Sequence, residues 1–414
     1  MNKFKSMAAF LLVPAIILAF TGCGMKKSGT IKNQYSIKAK ELDSNVDNIS
    51  NANNKGAFKF LNYELQTHKN TNIVISPLSL NTVLAMTQNG AANKTKEEIL
   101  SALELNGIND STINDNYRKV IAHFNSLDAV NINMANSIWI QKGINVRDDF
   151  TIIGRENYEA EIYNVDFNKS AAVNAINKWV SDKTFGRIKK LNTNLDNVTM
   201  VLINTIYFKG KWAEPFKEKD TTKEVFNLSD GSKVNVDMMK GVLSVDYLKA
   251  KDFSAARLSY DDNRFGFYIF LPNKGNSTDK LMQSMTYDNW NNWENDFKHT
   301  KVNINLPKFK IEYEDELNQM LQGFGMKDAF SSESADFSKI TDKEKLYVRY
   351  VKQKCYMDVN EAGTEAAAAT EVAMDQLGIE VDKPIDFTVD RPFIYAVADK
   401  KTGLIIFMGK VEKP

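Results

Sequence analysis

Residues 364–375 constrain this chain more than any other stretch, because their side-chain pattern and their backbone preference disagree. The even positions Thr364, Ala366, Ala368, Thr370, Val372 and Met374 are all small or apolar. The odd positions Glu365, Ala367, Ala369, Glu371, Ala373 and Asp375 hold all three acids of the segment. Such a period-2 alternation suits a strand with one buried and one wet face. Alanine, however, is a good helix former and a poor strand former. A segment with a strand's faces but not its propensity suits a loop that stays outside a sheet and later slides into one. Taken alone, the same residues also suit the core-facing turn of a surface helix starting at Thr364. A flexible linker is the third reading, although linkers carry more Gly and Ser.

A loop of that kind needs a sheet to enter, and the rest of the chain supplies candidates. GAFKFLNYELQTH (56–68) has apolar residues at helical spacing. NIVIS (72–76) is a short apolar run, after which Pro77 opens a helix over 78–90. VNINMANSIWIQ (130–141) and VTMVLINTIYFKGKW (198–212) read as buried strands, and residues 171–188 as a helix ended near Gly186. Strands follow over 264–272, 301–309 and 402–411. Long helices and mostly antiparallel-looking strands in one body, with no composition break and no internal repeat, predict an α+β fold over 56–414.

The bulk numbers exclude several functions. With 53 basic against 52 acidic residues the formal net charge is +1, so the basic excess of a nucleic-acid binder is absent. The three histidines His68, His123 and His299 are scattered without metal-ligand spacing, and no phosphate loop, zinc or calcium motif appears, so neither cofactor nor metal is expected. A hydrolase is disfavoured too, since no Gly-x-Ser-x-Gly occurs.

The N-terminus points to export. Lys3 and Lys5 precede an apolar run over 7–20, closed by Thr21-Gly22-Cys23. As helix that run rises about 21 Å, short of a ~30 Å bilayer core, so residues 1–22 read as a signal peptide. The small residue before Cys23 is similar to a bacterial lipobox, although Phe20 stands where Leu is usual. Lipidation of Cys23 would anchor the protein outside the cell membrane and leave Cys355 unpartnered; the alternative is ordinary cleavage nearby. Residues 23–55, rich in Lys, Asn and Ser, read as a flexible tether.

Six ordered segments carry a resemblance to the serpin family, spread from about residue 56 to the end. They are NIVISPLSL (72–80), NTIYFKGKW (204–212), LPKFKIEYEDELNQMLQGFGMKDAF (306–330), DFSKI (336–340), VNEAGTEAAAAT (359–370) and DRPFIYAVADKKTGLIIFMGKV (390–411). The resemblance implies three β-sheets, about eight or nine helices and an exposed reactive-centre loop, in a monomer. It implies a single-turnover inhibitor rather than an enzyme: a serine protease cuts the loop, forms an acyl-enzyme, and is trapped as the loop inserts into the central sheet. A non-inhibitory, surface-binding lipoprotein on the same fold is the alternative.

Carried over by position, the hinge comprises Glu361, Gly363, Thr364, Glu365, Ala366, Ala367, Ala368, Ala369 and Thr370. No charge or proline falls at an even position from 364 to 374, which favours insertion. Ser76, Ser79, Asn204 and Gln353 correspond to the region beneath the sheet opening, and Trp212, Lys308 and Glu361 to the top of the sheet. Gln353 departs from the family, which commonly has His there; Gln keeps hydrogen-bonding capacity but loses any pH response. The family spacing sets the reactive bond at Leu377–Gly378, fourteen residues after Gly363. Leucine there suits a chymotrypsin-like or subtilisin-like protease, with a papain-like cysteine protease as a further target class.

Overall fold

The computed structural model describes residues 46–127, 130–191, 195, 198–261, 263–364 and 383–414. Cys23, Glu365, Ala366, Ala367, Ala368, Ala369, Thr370, Leu377 and Gly378 lie outside the described residues. Within them are nine α-helices: α1 (Asp47–Thr67), α2 (Pro77–Gln88), α3 (Asn93–Ala102), α4 (Asp110–Asn125), α5 (Asp148–Tyr158), α6 (Ser170–Lys183), α7 (Thr278–Ser284), α8 (Tyr287–Asp296) and α9 (Asn318–Gly323).

The first helix corrects the expected tether. It begins at Asp47 rather than Gly56, so residues 47–55 belong to the folded body. Ile49 and Ala52 are buried in the core, and the polar residues beside them are buried with them. Asn53 donates to the Ile405 carbonyl at 2.9 Å, while Asn54 donates to the Gly403 carbonyl at 2.7 Å and accepts from Ile405 N at 3.0 Å. These asparagines satisfy backbone groups that would otherwise be stranded. The next helix starts as read, with Pro77 in its first turn and the Ser76 hydroxyl capping Ser79 N.

Six strands form the central sheet. In spatial order they are β10 (Phe309–Glu316), β11 (Lys352–Asn360), β12 (Gly363–Thr364), β4 (Met200–Lys211), β2 (Asn131–Gln141) and β3 (Glu161–Val165). The other nine strands are linked in a second array. One part runs β1 (Ile73–Ile75), β15 (Ile405–Val411), β14 (Phe393–Asp399), β8 (Phe265–Pro272), β7 (Phe253–Ser259). The other holds β5 (Thr222–Asn227), β6 (Lys233–Lys249), β9 (Lys298–Pro307) and β13 (Ile385–Thr388). Only four residue pairs of the long strand β6 join it to β7, so the array reads as the second and third of the three expected sheets. The single strand expected over 301–309 is two: β9 ends at Pro307, and after Lys308 the chain crosses to the central sheet as β10.

The central sheet is buried on both faces. From β4, Ile206 and Phe208 enter the main core beneath it, while Val201 and Ile203 pack on Ile176, Trp179 and Val180 of α6. That two-sided burial explains why β4 is apolar on both faces over Met200–Ile203 and Ile206–Phe208.

Candidate functional site

Strand β11 ends in a turn that Asn360 makes, its Oδ1 accepting from Ala362 N at 3.0 Å. The chain then doubles back for two residues. Gly363 and Thr364 lie between Asn360 and Val359 on one side and Lys211 and Gly210 on the other, antiparallel to both. Strands β11 and β4 therefore run parallel to each other, separated at this end by a two-residue wedge.

The wedge tolerates no bulk. A Cβ on Gly363 (φ 150°) would collide with the Gly210 carbonyl oxygen and lie 2.8 Å from Lys211 Cα. Close approach to β4, more than a need to bend, is what demands glycine here. Thr364 is 1 % exposed, and its hydroxyl is 2.7 Å from that of Tyr260. Tyr260 in turn lies across Gly210, where a Cβ would come within 2.6 Å of its ring. Trp212 stacks on Tyr260 with centroids 4.9 Å apart, and its Nε1 donates to the Asn360 carbonyl at 2.9 Å.

Glu361 locks the turn. Its buried carboxylate meets Lys308 Nζ at 2.8 Å and accepts from the Thr221 hydroxyl at 2.7 Å. Its backbone carbonyl accepts from Phe216 N at 3.0 Å. Burial acts to raise the Glu361 carboxyl, but Lys308 and Thr221 together outweigh it and hold it below the usual carboxylate range.

Below the wedge no ladder joins β11 to β4 among the described residues. Two cavities lie along that seam. One is lined by residues 201–205 of β4 and by Tyr350, Lys352 and Lys354; the other, nearer α2, by Met200, Val201, Val83, Leu84 and residues 346–351.

The region beneath the seam is polar. Gln353 clasps one backbone unit, donating to the Ser76 carbonyl and accepting from Ser76 N, both at 2.8 Å. The Ser76 hydroxyl donates to the Ile406 carbonyl at 2.8 Å. Ser79 donates to Asn204 Oδ1, Asn204 donates to Asn136 Oδ1 at 2.8 Å, and Asn136 donates to the Tyr158 carbonyl at 2.6 Å. The chain of bonds thus runs from α2 through β4 and β2 to the end of α5. Ser76, Ser79, Asn204 and Gln353 are brought together here, while Glu361, Gly363, Thr364, Trp212 and Lys308 meet at the other end.

Sequence reasoning missed Tyr260, Thr221 and Asn136. Each gains its place only through topology, and none stands in a motif. Cys355 is buried in β11, where burial pushes its thiol well above the ordinary range, so it is a core residue rather than a reactive one.

Comparison with known proteins agrees with this geometry. A family profile described as "Serpin (serine protease inhibitor)" matches residues 51–414. An uncharacterized serpin-like protein of Thermococcus kodakarensis is 34% identical over 364 residues, covering 86% of this chain and 84% of its own length. The leukocyte elastase inhibitor of Xenopus laevis is 32% identical over 383 residues, covering 89% of this chain and 100% of its own. Among solved structures, the thermophilic serpin tengpin in its native state superposes with a TM-score of 0.81 at 30% identity, over 91% of this chain and 96% of tengpin.

Proposed function

The chain belongs to the serpin family, whose members include named protease inhibitors rather than enzymes, and from that premise we propose that it is itself a working single-turnover inhibitor of serine proteases. One observation carries the reading: the register of the wedge. Continued residue by residue on insertion, it would set Ala366 opposite Met357 and Phe208, Ala368 opposite Cys355 and Ile206, and Thr370 opposite Gln353 and Asn204. Met357, Phe208, Cys355 and Ile206 belong to the main core, so the even positions of the loop are the inward ones. At the far end Met374 falls opposite Met200, the first residue of β4. The alternating segment therefore matches the open seam in length, in facing and in side-chain size.

In this mechanism a protease cuts the loop at Leu377–Gly378 and remains as an acyl-enzyme on the new C-terminus. The freed segment then zips down the seam. About ten added backbone hydrogen bonds, each worth ~0.5–1.5 kcal/mol net, supply on the order of 10 kcal/mol before side-chain burial. Insertion outpaces deacylation when the small even residues meet no steric bar. Incubation with a panel of chymotrypsin-like, subtilisin-like and papain-like proteases tests the reading. The expected result is a complex that survives boiling in SDS, with a released peptide starting at Gly378. Complete loop cleavage without any such complex would leave the non-inhibitory reading in its place. The same proposal has Cys23 lipidated and the protein held outside the bacterial membrane; Cys23→Ala should then shift it from the detergent phase to the aqueous phase.

A further inference from the structure

A cluster away from the seam carries an inference that does not depend on the inhibitor reading. Helix α1 carries Glu64 in its last turn, and His68 caps its C-terminal end beside it. There the helix meets β10, the edge strand of the central sheet, at Tyr313 and Asp315. Glu64 is 0 % exposed; its Oε2 lies 3.1 Å from His68 Nδ1 and accepts from the Tyr313 hydroxyl. Its other oxygen, Oε1, is buried with no hydrogen-bond partner. His68 Nε2 faces Asp315 Oδ2 at 3.9 Å. One donor atom from each of Glu64, His68 and Asp315 lies within 4.8 Å of the other two.

Local pairing does not account for this arrangement. A buried carboxylate oxygen without a donor is costly and rare in native proteins. Two carboxyl groups and one imidazole converge there, and a divalent cation between them would give the carboxylate oxygens a partner.

We propose that Glu64, His68 and Asp315 form a zinc-class metal site that staples α1 to β10. One imidazole nitrogen with two carboxylate oxygens is a borderline donor set of the kind Zn²⁺ takes, whereas Ca²⁺ and Mg²⁺ call for six or more oxygens. Ligand atoms of a tetrahedral zinc site stand about 3.3–3.5 Å apart, given zinc–ligand bonds near 2.0–2.2 Å. Glu64 Oε2 and His68 Nδ1 sit near that spacing at 3.1 Å, whereas the partly exposed Asp315 faces Nε2 and has up to about 1.5 Å to close to share an ion on Nδ1. The half-exposed His68 leaves a path for the ion and room for water as fourth ligand. Tyr313 then serves as an outer partner that orients the Glu64 carboxylate. Asp315 lies opposite Gln353, and Tyr313 opposite Cys355, so the staple grips the strand beside the seam.

Zinc titration of the EDTA-stripped full chain, followed by thermal unfolding, tests the site, with Co²⁺ absorption as a second readout. A saturable rise in unfolding temperature on the order of 5 °C is expected for the wild type. His68→Ala and Asp315→Asn should abolish both the rise and the Co²⁺ bands. Asp315→Asn is nearly isosteric and partly exposed, so it decides the matter should His68→Ala fail to fold. No rise in the wild type would overturn the proposal. So would an equal rise in both variants, which would locate the ion elsewhere, such as His299 beside Asp246 at 3.1 Å.

Discussion

The two ends of the seam between β11 and β4 are closed by opposite means. At the upper end a plug of two small residues fills the gap, with backbone contact at Gly363 and the Trp212–Tyr260 stack behind Thr364. At the lower end hydrogen bonds do the work, through Gln353 on the Ser76 backbone and Asn204 between Ser79 and Asn136. Shape controls the first closure and bond exchange the second. A strand that starts at the top must therefore be thin, and one that arrives at the bottom must bring polar groups. In the proposed insertion the loop sequence does both in order: Ala366 and Ala368 precede Thr370, which the same register, continued, would set between Gln353 and Asn204.

Breaking the upper end should have the largest effect. Thr364→Arg sets a guanidinium against Tyr260 in a packed core, at a cost of several kcal/mol that expels the wedge in the intact chain and must be met again for the loop to insert. Cleavage by the target should persist while the SDS-resistant complex falls by at least about tenfold, roughly the effect of 1.4 kcal/mol on partitioning. An unchanged stoichiometry would show that shape at the top does not control the process.

A smaller, graded effect is expected below. Gln353→Leu takes the partner from Ser76 N–H, a loss worth about 1–3 kcal/mol, and leaves the Ser76 carbonyl only Leu80 N at 3.2 Å. The native form should unfold at lower temperature and insert its loop faster once cut, measured by stopped-flow complex formation. Gln353→His should sharpen the same point by restoring the bonds together with a dependence on pH near ~6.5. Identical rates for Gln353→Leu and wild type would remove Gln353 from the lower closure.

The smallest effect belongs to Glu361→Gln. Lys308 is two-fifths exposed, so the ion pair is worth under about 1 kcal/mol after solvent screening. Because the folded carboxyl titrates below its unfolded range, its contribution is complete above the ordinary carboxylate range and disappears as pH falls through the lowered value. Acid unfolding curves of wild type and Glu361→Gln should thus converge at low pH and separate toward neutrality. Curves that stay parallel throughout would contradict the assignment.

Much of this arrangement is legible in the sequence where the signal is local. The alternation that starts at Thr364 makes the even positions the inward ones, and Thr364, the one described member, is buried; Pro77 after an apolar run states where α2 begins. Other features depend on distant partners. Asn53 and Asn54 look like tether residues, yet they turn inward because β15 offers them backbone groups. Tyr260 matters because Gly210 has no side chain, a complementarity between residues in separate strands. The histidines show no metal spacing along the chain because Asp315 reaches His68 only after the sheet has formed. The resemblance sets Lys308 and Glu361 at the top of the sheet, and the crossing after Pro307 is what brings Lys308 to the turn.

The central claim is that the cut loop becomes a strand between β11 and β4, and the melting temperature of loop-cleaved protein tests it most directly. Cleavage by a protease that is not retained, followed by calorimetry on the purified two-chain product, isolates insertion from inhibition. On the order of 10 kcal/mol of added strand pairing should raise the transition by roughly 10–15 °C over the intact chain. A cleaved product that melts at or below the temperature of the intact chain would contradict the account.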